Sequence, residues 1–320
     1  MLESKNQNFN HLKIHSQYSI CEGAVKIDEL KDFSKDNKIR SLGLCDSNNL
    51  CGALEFAEKI SKIGTQPIIG TQINFKYGDT IGLLPLYALN DEGYKRIIEL
   101  SSLSYLKNDE LSDPHLDLNE LLIKNSGVSL FSGTINGLFG RLFDKGKFTE
   151  IKELYSKLKS KFNDKFYLEI QRHGDQNEIG FEKFNLDQSL KLKIPLIATN
   201  EVFYINKEMH EAHDALICIK NKTYVNEKNR EKFSDQHYFK NNTEMSELFK
   251  DLPEALENNY NFPYRCSFRP LFSKPILPNI STEKGGEAEE IIRKDSLEGL
   301  KDKFKKIFNI ESNNVLSNQD

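Results

Sequence analysis

The sequence has no apolar run long enough to cross a bilayer, for which about 20 consecutive apolar residues are needed. Its longest runs, such as Ile81–Leu84 and Val128–Phe131, are far shorter. The segment Met1–Asn10 is polar and lacks the apolar core of a secretory signal. These absences predict a cytoplasmic protein without a membrane partner.

Cysteines are few, and basic residues do not outnumber acidic ones. The 5 cysteines are odd in number, dispersed and without a C-x-x-C pair, which argues against a disulfide framework and a structural zinc knuckle. The 44 basic residues are outnumbered by 48 acidic ones, which gives a net charge of −4. A module that neutralises many phosphates usually carries a basic excess. We therefore do not expect this chain to provide the main DNA-binding surface of a protein.

Two motifs of common enzyme classes are missing. No G-x-G-x-x-G follows the first predicted strand, so a dinucleotide-binding sheet would lack its phosphate turn. Ser132 is followed by Gly133 but lies outside any G-x-S-x-G elbow, so a serine hydrolase has no support. The sequence does contain an alternation of short apolar strands and amphipathic helices. About six or seven such units predict parallel strands, either in an open sheet or in a barrel.

Polar residues of ligand type recur just past the ends of the predicted strands, at His15, Asp46, Gln72, His173 and Glu201. In a β/α barrel these positions converge on one face, which is where the chemistry of such folds occurs. This pattern favours the barrel. The alternative, that these residues only mark the points where strands turn polar, stays open at this stage.

The composition changes after about residue 265. Prolines and a Gly-Gly pair predict a linker over residues 269–286. A charged helix is predicted over residues 287–309, because its apolar residues recur on one face. These boundaries leave a main domain over residues 9–268, with disorder expected in residues 1–8 and 310–320.

Eight sequence motifs occur in the order in which they are found in one known family. They are His11–Ser16, Tyr18–Gly23, Leu44–Ala53, Pro67–Gly70, Leu89–Tyr94, Phe166–Gly174, Ala198–Glu201 and Leu252–Asn258. Together they resemble the PHP (polymerase and histidinol phosphatase) domain at the N-terminus of the bacterial DNA polymerase III alpha subunit, a replicative family C polymerase. The resemblance implies an α/β fold, a distorted seven-unit (β/α) PHP-type barrel followed by a linker helix.

In metal-binding members of this family, histidine and acidic side chains hold divalent cations that activate water for phosphoester cleavage. The resemblance places five positions of that ligand set at His15, Glu22, Asp46, His173 and Glu201, the last of which stands where the family has an aspartate. At four further positions the residue departs from the family pattern, namely at Lys13, Ser47, Gln72 and Phe203. The resemblance therefore implies a vestigial site with no expected cofactor. The competing interpretation is one residual Zn, Mn or Mg ion on His15, Asp46, His173 and Glu201.

Lys13 is the departure with the largest electrostatic effect, because an ammonium group beside a divalent ion is repelled by several kcal/mol. Buried carboxylates without metals need another positive partner. We therefore predict that Lys13 contacts at least one of Glu22, Asp46 and Glu201. Four other histidines are expected to be unrelated to the site: His210 and His213 as a surface pair, and His115 and His237 as lone loop residues.

The resemblance implies a structural and subunit-docking role with little or no catalysis of its own. The implied partners are the remainder of the polymerase alpha subunit and the proofreading exonuclease subunit, with DNA reached only through the complete polymerase. The chain contains neither a Gly-rich nucleotide loop nor an Asp-x-Asp pair of a polymerase palm, so we expect a truncated or split polymerase subunit. The rival hypothesis is an independent metal-dependent phosphoesterase or 3′–5′ exonuclease.

Overall fold

A computed structural model describes residues 8–108, 112–275 and 288–307. The chain divides into two units, residues 1–272 and residues 273–320. Among the residues described, every helix is too short or too polar to span a membrane.

The first unit contains nine strands and ten α-helices among its described residues. The strands are β1 Lys13–Ile14, β2 Ser41–Ser47, β3 Gln66–Tyr77, β4 Thr80–Ala88, β5 Leu116–Asp117, β6 Val128–Phe131, β7 Phe166–Ile170, β8 Leu196–Ala198 and β9 Glu201–Val202. The helices are α1 Ile27–Asp36, α2 Ala53–Lys62, α3 Asp91–Leu106, α4 Glu120–Ile123, α5 Leu138–Asp144, α6 Phe148–Phe162, α7 Gln176–Leu192, α8 His210–Asn221, α9 Asn242–Leu248 and α10 Pro253–Asn261.

The strands form one curled sheet in the order β8-β7-β6-β4-β3-β2-β1-β9, with β5 paired to β3. Its two edge strands, β8 and β9, are separated in sequence only by Thr199 and Asn200. Three peptide units span at most about 11 Å, so this short connection brings the two edges of the sheet together. The fold is therefore the curled α/β barrel that the sequence predicted.

The prediction of an all-parallel sheet was wrong at β3 and β4. These strands pair antiparallel from Gly70–Tyr87 to Tyr77–Thr80, and β4 also pairs antiparallel with β6. No helix joins β3 to β4, because the connection is a two-residue turn at Gly78 and Asp79. Gly78 has a φ of 59°, a conformation that glycine adopts without steric cost.

Alternation along the strands decides which side chains enter the barrel. In β1, Ile14 joins the apolar layer under α1 and α2, so Lys13 points to the opposite face, the barrel interior. β1 can lie close to β2 because residue 43 is glycine: a Cβ there would lie 2.2 Å from the carbonyl oxygen of Leu12. Gly43 is thus one reason why Lys13 reaches the interior.

The outer layer consists of amphipathic helices. In α2, Ala53, Phe56, Ala57 and Ile60 are fully buried, at the i, i+3, i+4, i+7 spacing of one helix face. Burying each large apolar side chain contributes about 1.5–3 kcal/mol. This packing holds the strands, and with them the residues at the barrel mouth, in fixed positions.

The second unit contains one described helix, α11 Ala288–Ile307. The sequence predicts a helix over residues 287–309, and α11 lies within that range. The side chains of Ile292, Leu297, Leu300 and Ile307 are more than a third exposed. Residues 269–275 of the predicted linker form neither helix nor strand. Residues 276–287 and the tail beyond Ile307 lie outside the described residues, as do the first seven residues.

Candidate functional site

Lys13 lies inside the barrel with its side chain 2% exposed. It is directly opposite Glu201 on the neighbouring parallel strand, and its Nζ lies 3.1 Å from Glu201 Oε1. The predicted contact between Lys13 and a mouth carboxylate is therefore present, and Glu201 is the partner. Burial disfavours the charged amine, but the attraction of Glu169 and Glu201 outweighs that effect and raises the pKa of Lys13.

Glu169 is a second carboxylate at this position that the sequence analysis missed. Its Oε1 lies 3.9 Å from Lys13 Nζ and accepts hydrogen bonds from Gln171 Nε2 at 2.9 Å and from the hydroxyl of Thr199. The residue is part of the Phe166–Gly174 motif. Because inward and outward positions alternate along β7, Glu169 shares its inward face with Tyr167 and could have been found from that alternation.

His15 contacts the same carboxylate oxygen as Lys13. Its Nε2 lies 3.0 Å from Glu201 Oε1, and its ring stacks on Phe203 with centroids 4.7 Å apart. Desolvation acts to raise the pKa of Glu201, but the charge of Lys13 and the hydrogen bond from His15 hold it well below its usual value. Glu201 is thus a buried carboxylate kept ionised by a lysine.

His173 uses both ring nitrogens for contacts within the protein. Its Nε2 accepts the backbone N–H of Glu201 at 3.2 Å, which places its proton on Nδ1, 3.1 Å from Glu178 Oε1. Burial lowers the pKa of His173 to about 3 and raises that of Glu178 to about 7. The lone pair that a neutral histidine would offer to a metal is therefore occupied by a backbone donor.

The expectation that His237 is a lone loop residue unrelated to the site was wrong. It is buried, and its ring stacks on that of His173 with centroids 4.0 Å apart and planes 6° from parallel. Its Nδ1 donates to the backbone carbonyl of Glu201 at 3.2 Å, and desolvation lowers its pKa well below the usual value. No local pattern in the sequence links it to Glu201, since it arrives from a loop.

Asp46 lies in different surroundings on the far side of β1. Its Oδ1 accepts from the Ser16 amide and the Ser19 hydroxyl, both at 2.7 Å, and its Oδ2 accepts from the Ser16 hydroxyl at 2.8 Å. Desolvation is the largest effect on this group and raises its pKa. The predicted contact with Lys13 is not among its bonds.

The other predicted positions are placed as follows. Gln72 is buried and donates from Nε2 to the hydroxyl of Ser47 at 3.1 Å. Glu22 is half-buried, and its carboxylate lies 4.0 Å from Lys220 Nζ and is not bonded to Lys13. Ser47 and Gln72 thus bind each other, while Glu22 faces helix α8.

The expectation of a surface histidine pair was wrong for His213. It is buried, its Nε2 donates to the backbone carbonyl of Glu22 at 2.8 Å, and its ring stacks on Phe203 at 5.1 Å. His210 is half-buried and contacts the carbonyl of Phe233. Phe203 therefore lies between two histidine rings, those of His15 and His213.

A small cavity of about 40 Å³ opens at this mouth, lined in part by His173, Glu178, Glu201 and His237. Among the residues that the structure describes, no group of three or more His, Cys, Asp or Glu side chains is arranged to hold a metal ion. The donors present also fit a metal poorly, because Lys13 brings a positive charge and Phe203 brings no ligand atom. No step of a metal-dependent reaction follows from this arrangement.

Comparison with known proteins agrees with the family resemblance found in the sequence motifs. The family model for the PHP domain matches residues 11–173. The chain is 35% identical to the DNA polymerase III subunit alpha of Caulobacter vibrioides, over 94% of this chain and 27% of that protein. The corresponding protein of Rickettsia conorii is 36% identical over 98% of this chain and 26% of its own length.

Among solved structures, an amidohydrolase from Chromobacterium violaceum aligns with a TM-score of 0.42 and 11% identity, over 61% of this chain and 87% of that one. The chain spans about a quarter of the length of the curated polymerase subunits it matches. The chain belongs to the PHP domain family, in the form found in the N-terminal part of bacterial DNA polymerase III alpha subunits.

Proposed function

We propose that this chain is the PHP part of a replicative DNA polymerase III alpha subunit, and that it serves stability and subunit docking and does not hydrolyse phosphoesters. Its proposed partners are the remainder of the alpha subunit and the proofreading exonuclease subunit. DNA is reached only through the complete polymerase. The main support is one observation: the amine of Lys13 lies 3.1 Å from Glu201 Oε1 in the interior of the barrel.

Charge balance explains why this contact supports a non-catalytic site. The ionised Glu201 is matched by Lys13, so a divalent cation at the same carboxylate would have to displace or oppose an ammonium group. At a separation of about 4 Å, that repulsion amounts to several kcal/mol even at an effective dielectric near 20. The lysine thus performs the neutralising role that a cation would otherwise have.

Two neighbouring contacts support the same interpretation. The Nε2 lone pair of His173 accepts the Glu201 amide, and Asp46 accepts three hydrogen bonds from Ser16 and Ser19. His173 would have to release this amide before its Nε2 could bind a metal, and three of the roughly four lone-pair positions of the Asp46 carboxylate already accept hydrogen bonds. The proposed site is therefore a set of contacts within the protein at the barrel mouth.

The alternative function is a metal-dependent phosphoesterase or 3′–5′ exonuclease with one residual divalent ion. It would use His15, Asp46, His173 and Glu201. The observation in its favour is that His15, His173 and Glu201 do lie together at the mouth, beside a cavity. The metal content of the purified chain separates the two proposals.

Elemental analysis of the dialysed chain tests this directly, together with thermal denaturation in the presence of Zn²⁺, Mn²⁺ or Mg²⁺. We expect far less than one metal per chain and no stabilisation by added ions. A Lys13→His, Phe203→His variant, which restores two ligand positions of the family pattern, is the matched control for detecting binding. Two or more metals per chain in the wild type would reject the proposal, and one metal that is lost in His173→Gln would support the alternative.

A further inference from the structure

One exposed apolar surface lies on α8 and the loop that follows it. Ile219, Tyr224 and Val225 are 69%, 75% and 56% exposed. Isolated exposed apolar side chains are ordinary, whereas several on one short segment are a feature of interaction surfaces. Residues 219–232 are called the α8 ridge below.

An arginine side chain fixes the backbone of the α8 ridge. The side chain of Arg230 is 1% exposed, and two of its nitrogens donate to the two carboxylate oxygens of Asp214, each at 2.6 Å. The same guanidinium donates to the carbonyl of Val225 at 3.1 and 3.3 Å. A bidentate arginine–carboxylate pair is geometrically specific, so it anchors the loop that carries Tyr224 and Val225.

Local hydrogen bonds add to this anchoring. The Tyr224 amide donates to Glu227 Oε1 at 2.9 Å, the Glu227 amide donates to the Tyr224 carbonyl at 3.0 Å, and the Thr223 amide donates to the Cys218 carbonyl at 3.0 Å. Apolar side chains on a fixed backbone lose less conformational entropy on binding than the same side chains on a mobile loop. The α8 ridge is therefore pre-organised for contact.

The α8 ridge is also connected to the barrel mouth. On the same helix, His213 stacks on Phe203 and donates to the carbonyl of Glu22. The loop that contains Glu22 carries Ile20, which is 82% exposed. The helix that packs against Phe203 at the vestigial site therefore also carries the exposed Ile219 and leads into the loop with Tyr224 and Val225.

The charges on the α8 ridge indicate the chemistry of its partner. The arginine of the α8 ridge, Arg230, is paired with Asp214. The other charged residues of the ridge are four lysines and two glutamates. These residues are Lys220, Lys222, Lys228 and Lys232, with Glu227 and Glu231. The excess is positive, although the whole chain has a net charge of −4. Complementary potentials favour a partner with carboxylates around its contact.

We propose that the α8 ridge is a docking surface for a partner protein that presents an apolar anchor flanked by carboxylates. This inference deepens the proposed docking role and rests on it. A protein partner fits better than single-stranded nucleic acid, because two of the three exposed side chains are aliphatic and one aromatic ring cannot stack on successive bases.

Fluorescence anisotropy with the full chain tests this. The probes are labelled peptides with a central Leu-Phe pair flanked by Glu, by Gln or by Lys, and labelled oligothymidylate. The Glu peptide should bind saturably and more weakly at high salt. The Tyr224→Ser, Val225→Ser variant should weaken it by about tenfold or more, whereas Leu190→Ser, which alters an 83% exposed side chain on α7, should leave binding unchanged.

Arg230→Gln provides a second readout, because the guanidinium of Arg230 is paired with Asp214 and anchors the loop that carries Tyr224 and Val225. It should weaken binding of the Glu peptide while thermal denaturation still shows a folded chain. No saturable binding of the Glu peptide, equal binding of the Lys peptide, or insensitivity to Tyr224→Ser, Val225→Ser would each overturn the proposal. Oligothymidylate binding that requires Tyr224 and Lys228 would assign the surface to nucleic acid instead.

The outcome is distinguishable from failure of the proposed function itself. If the purified exonuclease subunit binds the wild type and the Tyr224→Ser, Val225→Ser variant equally well, the docking role stands and the α8 ridge is excluded. If it binds neither protein while the Glu peptide binds as expected, the α8 ridge is supported and the exonuclease is not its partner.

Discussion

Glu201 and Asp46 are both buried carboxylates at the barrel mouth, yet their pKa values move in opposite directions. Glu201 contacts the cation of Lys13, and its pKa is lowered well below the usual value. Asp46 is bonded to two serines, and its pKa is raised. Hydroxyl and amide donors lower the cost of desolvating Asp46 but do not cancel it, whereas a full positive charge does so for Glu201. The identity of the partner, more than burial, decides the ionisation of these groups.

The largest expected effect comes from removing that positive charge. Lys13→Ala should lower the free energy of unfolding by about 3–5 kcal/mol, because it leaves Glu201 and Glu169 buried without a cation. Urea denaturation at neutral pH measures this change. Lys191→Ala breaks an exposed pair with Asp187 and should change the free energy of unfolding far less. Equal changes in the free energy of unfolding for the two variants would show that the buried pair stabilises the fold no more than the exposed pair does.

A second effect concerns the histidine beside Glu201. His173 has a folded pKa of about 3 and an unfolded pKa near 6.5, so the unfolded chain binds more protons in that window and stability falls as the pH drops. Glu178, with a folded pKa of about 7, opposes this by gaining a proton in the folded state. Glu178→Gln should therefore lose stability more steeply than the wild type between about pH 6.5 and 4.5.

The contribution of His173 can be isolated within that variant. Adding His173→Gln to Glu178→Gln should reduce the slope of the free energy of unfolding against pH by roughly 1.4 kcal/mol per pH unit. The measurement is urea denaturation of both variants across this pH range. Identical slopes would mean that His173 is protonated in the folded chain.

A third and smaller effect compares the two carboxylates directly. Glu201 is ionised more readily in the folded state, so its stabilising contribution is lost as the pH falls below the unfolded value near 4.3. Asp46 binds its proton more tightly in the folded state, so it gains stability as the pH falls from its raised folded pKa towards about 3.9. The destabilisation of Glu201→Gln should shrink in acid, and that of Asp46→Asn should grow. If the destabilisations caused by the two variants changed in the same direction as the pH falls, the opposite pKa shifts of Glu201 and Asp46 would be contradicted.

The smallest expected effect is the loss of one neutral donor. Ser19→Ala removes the hydroxyl that donates to Asp46 Oδ1 at 2.7 Å and should cost about 1 kcal/mol. It should also raise the pKa of Asp46 further, which NMR titration of the carboxyl carbon would detect. A lower pKa in the variant would show that the hydroxyl does not stabilise the ionised form.

Much of the fold could be predicted from the sequence because apolar spacing is a local signal. The spacing of apolar residues predicts the strand at Ser41–Ser47 and the helix at Ala53–Lys62. The antiparallel pairing of β3 and β4 was missed, although Gly78-Asp79 between two apolar runs is a hairpin signal. Strand direction depends on that short turn and not on the pattern of the strands themselves.

The site was predictable to the extent that its residues lie at strand ends. Lys13 and Glu201 belong to strand motifs, and their pairing follows once β1 and β9 are neighbours. His237 enters from a loop, and its contact with the Glu201 carbonyl depends on the packing of the whole chain. His213 was expected on the surface, since its spacing from His210 does not reveal which face of α8 is covered.

The pairing of the first strand with the last one has a consequence for synthesis. Lys13 pairs with Glu201, so β1 has no partner on that side until residues near 202 have left the ribosome. At roughly 5–20 residues per second, the interval is on the order of 10–40 s, during which β1 presents an unpaired edge and an unneutralised lysine. A lysine on an open edge discourages pairing with other chains. The residue that neutralises Glu201 in the finished barrel is thus also a safeguard for the nascent chain.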